Sequence, residues 1–320
     1  MRAPAFWGPP ADRFSLAATV LAPAAWVYGT AHRLRWRMAK PKRASVPVVC
    51  VGNLVAGGAG KTPTAIAVAR YLRAQGAAVH FITRGYGGSA VGPMRVDLGH
   101  HDARLVGDEA LLLARIAPTW VARDRAAAAE RATAAGASML VLDDGFQNPG
   151  LAKDVSLVVV DAAYGFGNGR LLPAGPLRER AAHGLGRATA AVVIGGAAPF
   201  TASIPILAAE IEATPESRAR LANRPVVAFA GIARPEKFFA LLAAIGCKVV
   251  ATHAFGDHHR FSVAEIAGLR AEAARANATL VTTAKDAVRL DGASGIEVLD
   301  VALSFGSRAA LGHILGAIVH

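Results

Sequence analysis

At 320 residues and 53% apolar content the chain can bury one large core or two moderate ones, which excludes a disordered protein. Lysine and arginine number 35 against 23 aspartates and glutamates, and the resulting +12 charge draws anions, whether nucleotide phosphates, anionic lipid or nucleic acid, without choosing among them. Cys50 and Cys247 are the only cysteines, so a disulfide framework and a Cys-rich metal site are both ruled out, as suits a reducing cytosol.

In chain order, the first distinctive segment is the nearly all-apolar run Phe14 to Gly29, followed at once by His32, Arg33, Arg35, Arg37, Lys40, Lys42 and Arg43. The run is interrupted by Pro23 and falls short of the about 20 apolar residues that a bilayer crossing needs. An apolar face with trailing cations and the aromatics Trp26, Tyr28 and Trp36 fits an element lying on a membrane surface across residues 14–43. A core helix followed by a solvated basic linker fits the same pattern. A cleaved signal peptide does not, because dense basic residues stand where a small-residue cleavage site would.

From Val48 the chain reads strand, glycine-rich turn, helix: Val48-Val51, Gly52-Gly60 and Thr62-Gln75, the last with Ala65, Ala69 and Leu72 at helical spacing. Strands are expected next at Val79-Thr83, Thr119-Val121 and Met139-Leu142, with a helix starting near Asp108. The pattern resumes with strands at Leu157-Val160, Ala190-Ile194, Val226-Ala230, Lys248-Ala251 and Thr279-Thr282, and helices at Glu236-Ala244 and Val263-Ala276. The alternation predicts an α/β protein with a mostly parallel, P-loop NTPase-like sheet and a second, smaller α/β domain. The expected boundary lies near Gly150-Lys153, giving residues 1–150 and 151–320, with a last helix over Phe305-Val319 that could dock on either domain.

Gly57, Gly58 and Gly60 directly precede Lys61 and Thr62 between a strand and a helix, the context that makes a phosphate-binding motif credible. The whole turn, Val55, Ala56, Gly57, Gly58, Ala59, Gly60, Lys61 and Thr62, is the expected ATP site: backbone N–H groups face the phosphates, Lys61 bridges their oxygens and the Thr62 hydroxyl ligates Mg²⁺. Val55 stands where the usual pattern has its first glycine. The strand Met139-Leu142 runs into Asp143 and Asp144, where such a fold needs a carboxylate near magnesium; which of the two holds it is open. Asp108 at a helix start and the loop Asp257-His258-His259 are candidates for alcohol activation. Taken alone, each also reads as ordinary structure, Asp108 as a helix cap and the two histidines as a hydrogen-bonded surface turn.

These residues resemble the tetraacyldisaccharide 4′-kinase family. The resemblance runs through Gly52-Asn53-Leu54 with Gly57 to Pro63, Arg84-Gly85-Tyr86-Gly87, Val106-Gly107-Asp108-Glu109 and Leu142-Asp143-Asp144-Gly145-Phe146-Gln147. It continues in Asn168 to Glu179, Gly231 to Phe239, the Asp257-His258-His259 loop and Thr283 to Val288. It implies a Mg²⁺-dependent phosphotransferase moving the ATP γ-phosphate to the 4′-hydroxyl of an acylated glucosamine disaccharide 1-phosphate, at the cytoplasmic face of the bacterial inner membrane and with no nucleic-acid partner. It also implies that Asp108 and His258 act as a catalytic pair. Asn53, Arg84, Tyr86, Gln147 and Arg178 fall in the substrate surroundings, and Glu179 joins Thr62, Asp143 and Asp144 near the metal. Asn148 stands where the family often has histidine. A P-loop NTPase of metal-insertion or membrane-partitioning type is the rival enzyme; partitioning ATPases carry a lysine before the paired glycines, where this chain has Ala56. A non-catalytic ATP-regulated module would account for the charge but leaves Asp108 and the Asp257-His258 loop without a role.

Overall fold

The computed structural model describes residues 4–9, 14–290 and 294–318; Val319, the end of the expected last helix, lies outside the described residues. Two α-helices precede the first strand, the short α1 (Leu16–Val20) and the longer α2 (Ala22–Met38). Then come β1 (Val48–Gly52), α3 (Lys61–Ala74), β2 (Val79–Thr83), β3 (Met94–Arg95), α4 (Ala103–Val106), α5 (Asp108–Ala114), β4 (Thr119–Val121), α6 (Arg125–Ala134) and β5 (Met139–Asp143). The chain continues through β6 (Val155–Asp161), α7 (Ala181–Leu185), β7 (Ala190–Ile194), β8 (Ile206–Ala213), α8 (Pro215–Leu221), β9 (Pro225–Ala230), α9 (Pro235–Ala244) and β10 (Lys248–Ala254). It closes with α10 (Val263–Arg275), β11 (Thr279–Thr283), α11 (Ala284–Ala287), β12 (Glu297–Leu299), β13 (Val301–Phe305) and α12 (Arg308–Leu315).

The strands form two sheets. The larger runs β13-β8-β7-β6-β1-β5-β2-β4-β3, parallel throughout except at its edges, where β13 pairs antiparallel with β8 and β3 with β4. The smaller, β10-β9-β11-β12, is wholly parallel. Continuous burial along β1, β5 and β6 follows from helices covering both faces, which is why these strands read as unbroken apolar runs. On one face Val68 and Leu72 of α3 pack over Val49, Val141 and Leu157; on the other, the alanines of α6 lie with Cys50, Leu140 and Leu142. In the smaller sheet Phe238 and Leu242 of α9 cover one face, and Leu269 and Ala273 of α10 the other.

The division expected near Gly150-Lys153 needs correction, because the strand that follows it, β6, pairs in parallel with β1 through Val49↔Val155 to Gly52↔Val158. The larger sheet extends through β8, the smaller begins at β9, and the chain then returns to the larger through β13. The glycine- and proline-rich stretch after β6 is a packed loop. Asn168 Nδ2 donates to the carbonyls of Phe6 (2.9 Å) and Ala174 (3.0 Å), and Trp7 Nε1 donates to Pro173 O (3.0 Å). The last helix starts later than expected because Phe305 ends β13; α12 then docks on the larger unit through Leu311 and Leu315.

Candidate active site

The phosphate-binding turn leaves the end of β1 and enters α3. Two of its glycines take left-handed backbone, Gly57 at φ 109° and Gly60 at φ 84°, a conformation that other residues adopt only with strain. Val55 is in extended bridge pairing with Leu177, and Ala56 N–H donates to Pro176 O (2.7 Å). The departure from the usual first glycine thus falls where no left-handed backbone is needed. Lys61 Nζ donates to Gly57 O (3.3 Å) and lies 3.9 Å from Asp144 Oδ2, while Thr62 Oγ1 donates to Asp143 Oδ2 (2.8 Å).

The two aspartates differ in their surroundings. Burial, with Glu109 and Asp144 nearby, pushes the Asp143 carboxyl up to about 7, and its Oδ1 is buried with no hydrogen-bond partner among the described residues. Burial also acts against the Asp144 carboxylate, but Lys61, Arg178 and Arg125 outweigh it and hold that group below the usual range; Arg178 Nη1 donates to both its oxygens, at 2.9 and 3.1 Å. An unpartnered buried oxygen beside a threonine hydroxyl suits a hard dication, and the charge of such an ion would hold Asp143 ionised. The described residues contain no cluster of three or more His, Cys, Asp or Glu able to enclose a metal, so a Mg²⁺ on Thr62 and Asp143 would take its other ligands from nucleotide and water.

Glu179 fits a different job from the metal role expected of it. Its oxygens are engaged by Arg187 Nη2 (2.5 Å), His183 Nδ1 (3.2 Å) and Gln147 Nε2 (3.2 Å). Gln147 Nε2 also donates to Asn53 O (2.8 Å), and its Oε1 accepts from Arg178 (3.3 Å). Asn53, Gln147, Arg178 and Glu179 therefore form one hydrogen-bonded chain ending on Asp144. It buttresses the turn, and Asn53 Oδ1 is left buried without a hydrogen-bond partner among the described residues.

Asp108 is the first residue of α5. The capping position belongs to Gly107, which makes no side-chain cap bond, so the Asp108 carboxylate is released from the helix-cap role open to it. It is 2% exposed. Its Oδ1 accepts from Glu109 N–H (2.9 Å) and its Oδ2 lies 3.0 Å from His258 Nδ1. Burial would raise this carboxyl, but the His258 hydrogen bond with Lys285 and Arg289 reverses the balance and holds it below the ordinary carboxylate range. His258 reaches it from the other unit, out of a left-handed backbone at φ 58°. The Tyr86 ring packs 5.2 Å from the imidazole. Arg84 is exposed and close enough to Arg125 that, after burial, it is the next cause depressing the pKa of that guanidinium. His259 keeps the local role open to it, bonding Glu265 (3.0 Å) and stacking on Phe255.

Three groups in this site were not singled out from the sequence: Glu109, Lys285 and Arg289. Lys285 Nζ lies 3.4 Å from Glu109 Oε1 and 3.5 Å from Asp257 Oδ1, and Arg289 Nε is 3.5 Å from Asp108 Oδ2. Glu109 also acts electrostatically on Asp143, so the Asp108–His258 pair and the phosphate-binding turn are parts of one site. The only sequence signal for Lys285 was its place in the Thr283-to-Val288 block.

A family model described as tetraacyldisaccharide-1-P 4′-kinase matches residues 17–320. The chain belongs to the tetraacyldisaccharide 4′-kinase family. It is 53% identical over 319 residues to the tetraacyldisaccharide 4′-kinase of Paramagnetospirillum magneticum, covering 97% of each chain. It is 49% identical over 332 residues to that of Rhodospirillum rubrum, covering 100% of this chain and 98% of that one. Among solved structures it is similar to LpxK from Aquifex aeolicus, determined in complex with ATP, with a TM-score of 0.78, 25% identity and coverage of 95% and 100% of the two chains. The P-loop kinase fold expected from the motif is thereby borne out, and the ATPase reading of metal-insertion or partitioning type is not favoured.

Proposed function

We propose that the protein transfers the γ-phosphate of ATP to the 4′-hydroxyl of a tetraacylated glucosamine disaccharide 1-phosphate, forming lipid IVA in lipid A biosynthesis. The observation that carries this reading is the meeting of Asp108 and His258 at 3.0 Å across the two units, beside Glu109, whose charge acts on Asp143. In it, the backbone amides before α3 receive the phosphates, and Lys61 exchanges its contact with Gly57 O for phosphate oxygens. Asp108, ionised and desolvated, accepts the hydroxyl proton as the oxygen attacks, while His258 donates to Oδ2 and keeps the carboxylate aimed. Mg²⁺ on Thr62 and Asp143 would supply positive charge to the transferring phosphates. In this reading Tyr86, packed on the His258 ring, and Arg84 contact the sugar, and Arg178 with Gln147 steadies Asp144 beside Lys61.

The same reading puts the protein at the cytoplasmic face of the inner membrane, held there by α1 and α2. Among the described residues no helix is long and apolar enough to cross a membrane. Yet Phe14, Leu16, Val20, Trp26, Val27, Leu34 and Met38 are exposed, Trp26 at 65% and Met38 at 71%, and Arg33, Arg35 and Arg37 lie on the same helix as the last four. Apolar burial in the headgroup region together with cation attraction to anionic lipid is the support for this placement.

The test is to incubate pure protein with Mg-ATP and the disaccharide 1-phosphate lipid and to look by mass spectrometry for one added phosphate. ATP turnover indifferent to the lipid would point instead to an ATPase, and ATP binding without turnover to a non-catalytic module.

A further inference from the structure

Lys285 is a cation that the transfer scheme leaves without a task. It stands two residues past Thr283, whose Oγ1 caps α11, and its side chain is 21% exposed. Around its ammonium are Glu109 Oε1 (3.4 Å) and Asp108 Oδ2 (3.9 Å) from the larger unit, with Asp257 Oδ1 (3.5 Å) and His258 Nε2 (3.3 Å) from the smaller. Burial alone would lower the Lys285 pKa, but Glu109, Asp108 and Asp257 outweigh it and raise the value, so the group is a full cation.

The two ring nitrogens of His258 therefore face opposite kinds of partner: Nδ1 meets a carboxylate oxygen at 3.0 Å, and Nε2 meets an ammonium at 3.3 Å. A ring carrying its proton on Nε2 would set donor against donor at Lys285, and a bare Nδ1 would set lone pair against lone pair at Asp108. Both contacts are satisfied only with the proton on Nδ1. A competitor for the opposite arrangement stands nearby, since Asp257 Oδ2 is 3.7 Å from Nε2 and would draw a proton there. Lys285 lies between these groups and occupies the Asp257 carboxylate. The other charged group close to the pair, Arg289, lies on Asp108 rather than on the ring, and Tyr86 packs against the imidazole.

We propose that Lys285 is a positioning residue for the catalytic pair: its ammonium donates to His258 Nε2, holds Asp257 away from that nitrogen, and so fixes the imidazole in the Nδ1–H tautomer that donates to Asp108. The consequence for transfer rests on Asp108 and His258 being the catalytic pair; the tautomer itself does not. Without Lys285, Nε2 acquires a proton shared with Asp257, and Asp108 then faces either a bare nitrogen or an imidazolium that weakens it as a base.

The experiment reads the ring nitrogens of ¹⁵N-histidine-labelled protein by two-bond ¹H–¹⁵N correlation, with His258→Gln assigning the signal, alongside kcat from about pH 5 to about pH 8, the range in which an imidazole changes state. Wild type should show Nδ1–H. Lys285→Met should move the proton to Nε2 or protonate both nitrogens, with kcat lowered about tenfold or more at the acid end, the loss shrinking toward the alkaline end, and KM for ATP within about twofold of wild type. Adding Asp257→Asn to Lys285→Met should recover part of the acid-end loss, and Lys285→Arg should retain the wild-type tautomer. An Nε2–H signal in wild type overturns the proposal. So does a Lys285→Met variant with an unchanged tautomer and the same loss at every pH, which would make Lys285 only a contact between the units. Wild-type kcat in Asp108→Ala would sink the catalytic-pair reading instead, and an Nδ1–H spectrum would still support the tautomer assignment.

Discussion

At the scale of the residue, Asp108 is held as a carboxylate by neighbours that come from elsewhere in the chain. Burial favours its neutral form, and His258, Lys285 and Arg289 more than compensate. A carboxyl whose folded pKa is depressed stabilises the fold at every pH above its unfolded value, here near 3.8, and that contribution is lost as pH falls through the lower folded value. Asp108→Asn should therefore melt below wild type at neutral pH, and the gap in Tm should close as pH drops below about 4. A gap that stays constant through that range would mean that the carboxylate's surroundings are not as described. Glu109 and Lys285 share this site but were not legible in the sequence, because their contact joins positions 176 residues apart and neither spacing nor residue type announces it. The phosphate-binding turn was legible for the opposite reason, since its glycines, Lys61 and Thr62 are consecutive and their chemistry is local.

At the scale of the element, strands buried on both faces announced themselves, as in Val-Val-Cys-Val of β1 and Leu-Val-Val-Val of β6. β8 escaped notice because its burial alternates and its outer positions include Glu210 and Glu212, so that no apolar run marks it. β13 was missed, only its last residue Phe305 falling at the start of the helix expected after it, and pairing with β8 is what makes it a strand. The boundary between units failed for a related reason: the strand pattern reads as restarting after Asp143-Asp144 until β6 is seen to pair with β1. α2 carries the element-scale prediction. Replacing Arg33, Arg35 and Arg37 together by Gln should weaken binding to anionic vesicles by about 1 kcal/mol per charge at low salt and raise the apparent KM for the lipid. Unchanged co-sedimentation would return α1 and α2 to a structural role.

At the scale of the whole molecule, the two units are joined by ion pairs that the sequence places far apart. Asp161 at the end of β6 binds Arg234 (2.7 Å) and Lys237 from the smaller unit, and the Arg234 guanidinium lies over the Tyr164 ring. The same docking brings His258 to Asp108, so the proposed catalytic pair exists only while both units are docked. The most direct measurement is kcat for wild type, Asp108→Ala, His258→Ala and the double variant, at saturating lipid and ATP. Each single change should cut kcat by about 10²–10⁴, with the double variant little worse than the poorer single and with ATP affinity nearly constant. Fully multiplicative losses, or wild-type kcat in His258→Ala, would contradict the claim that the two residues act as one unit on one hydroxyl.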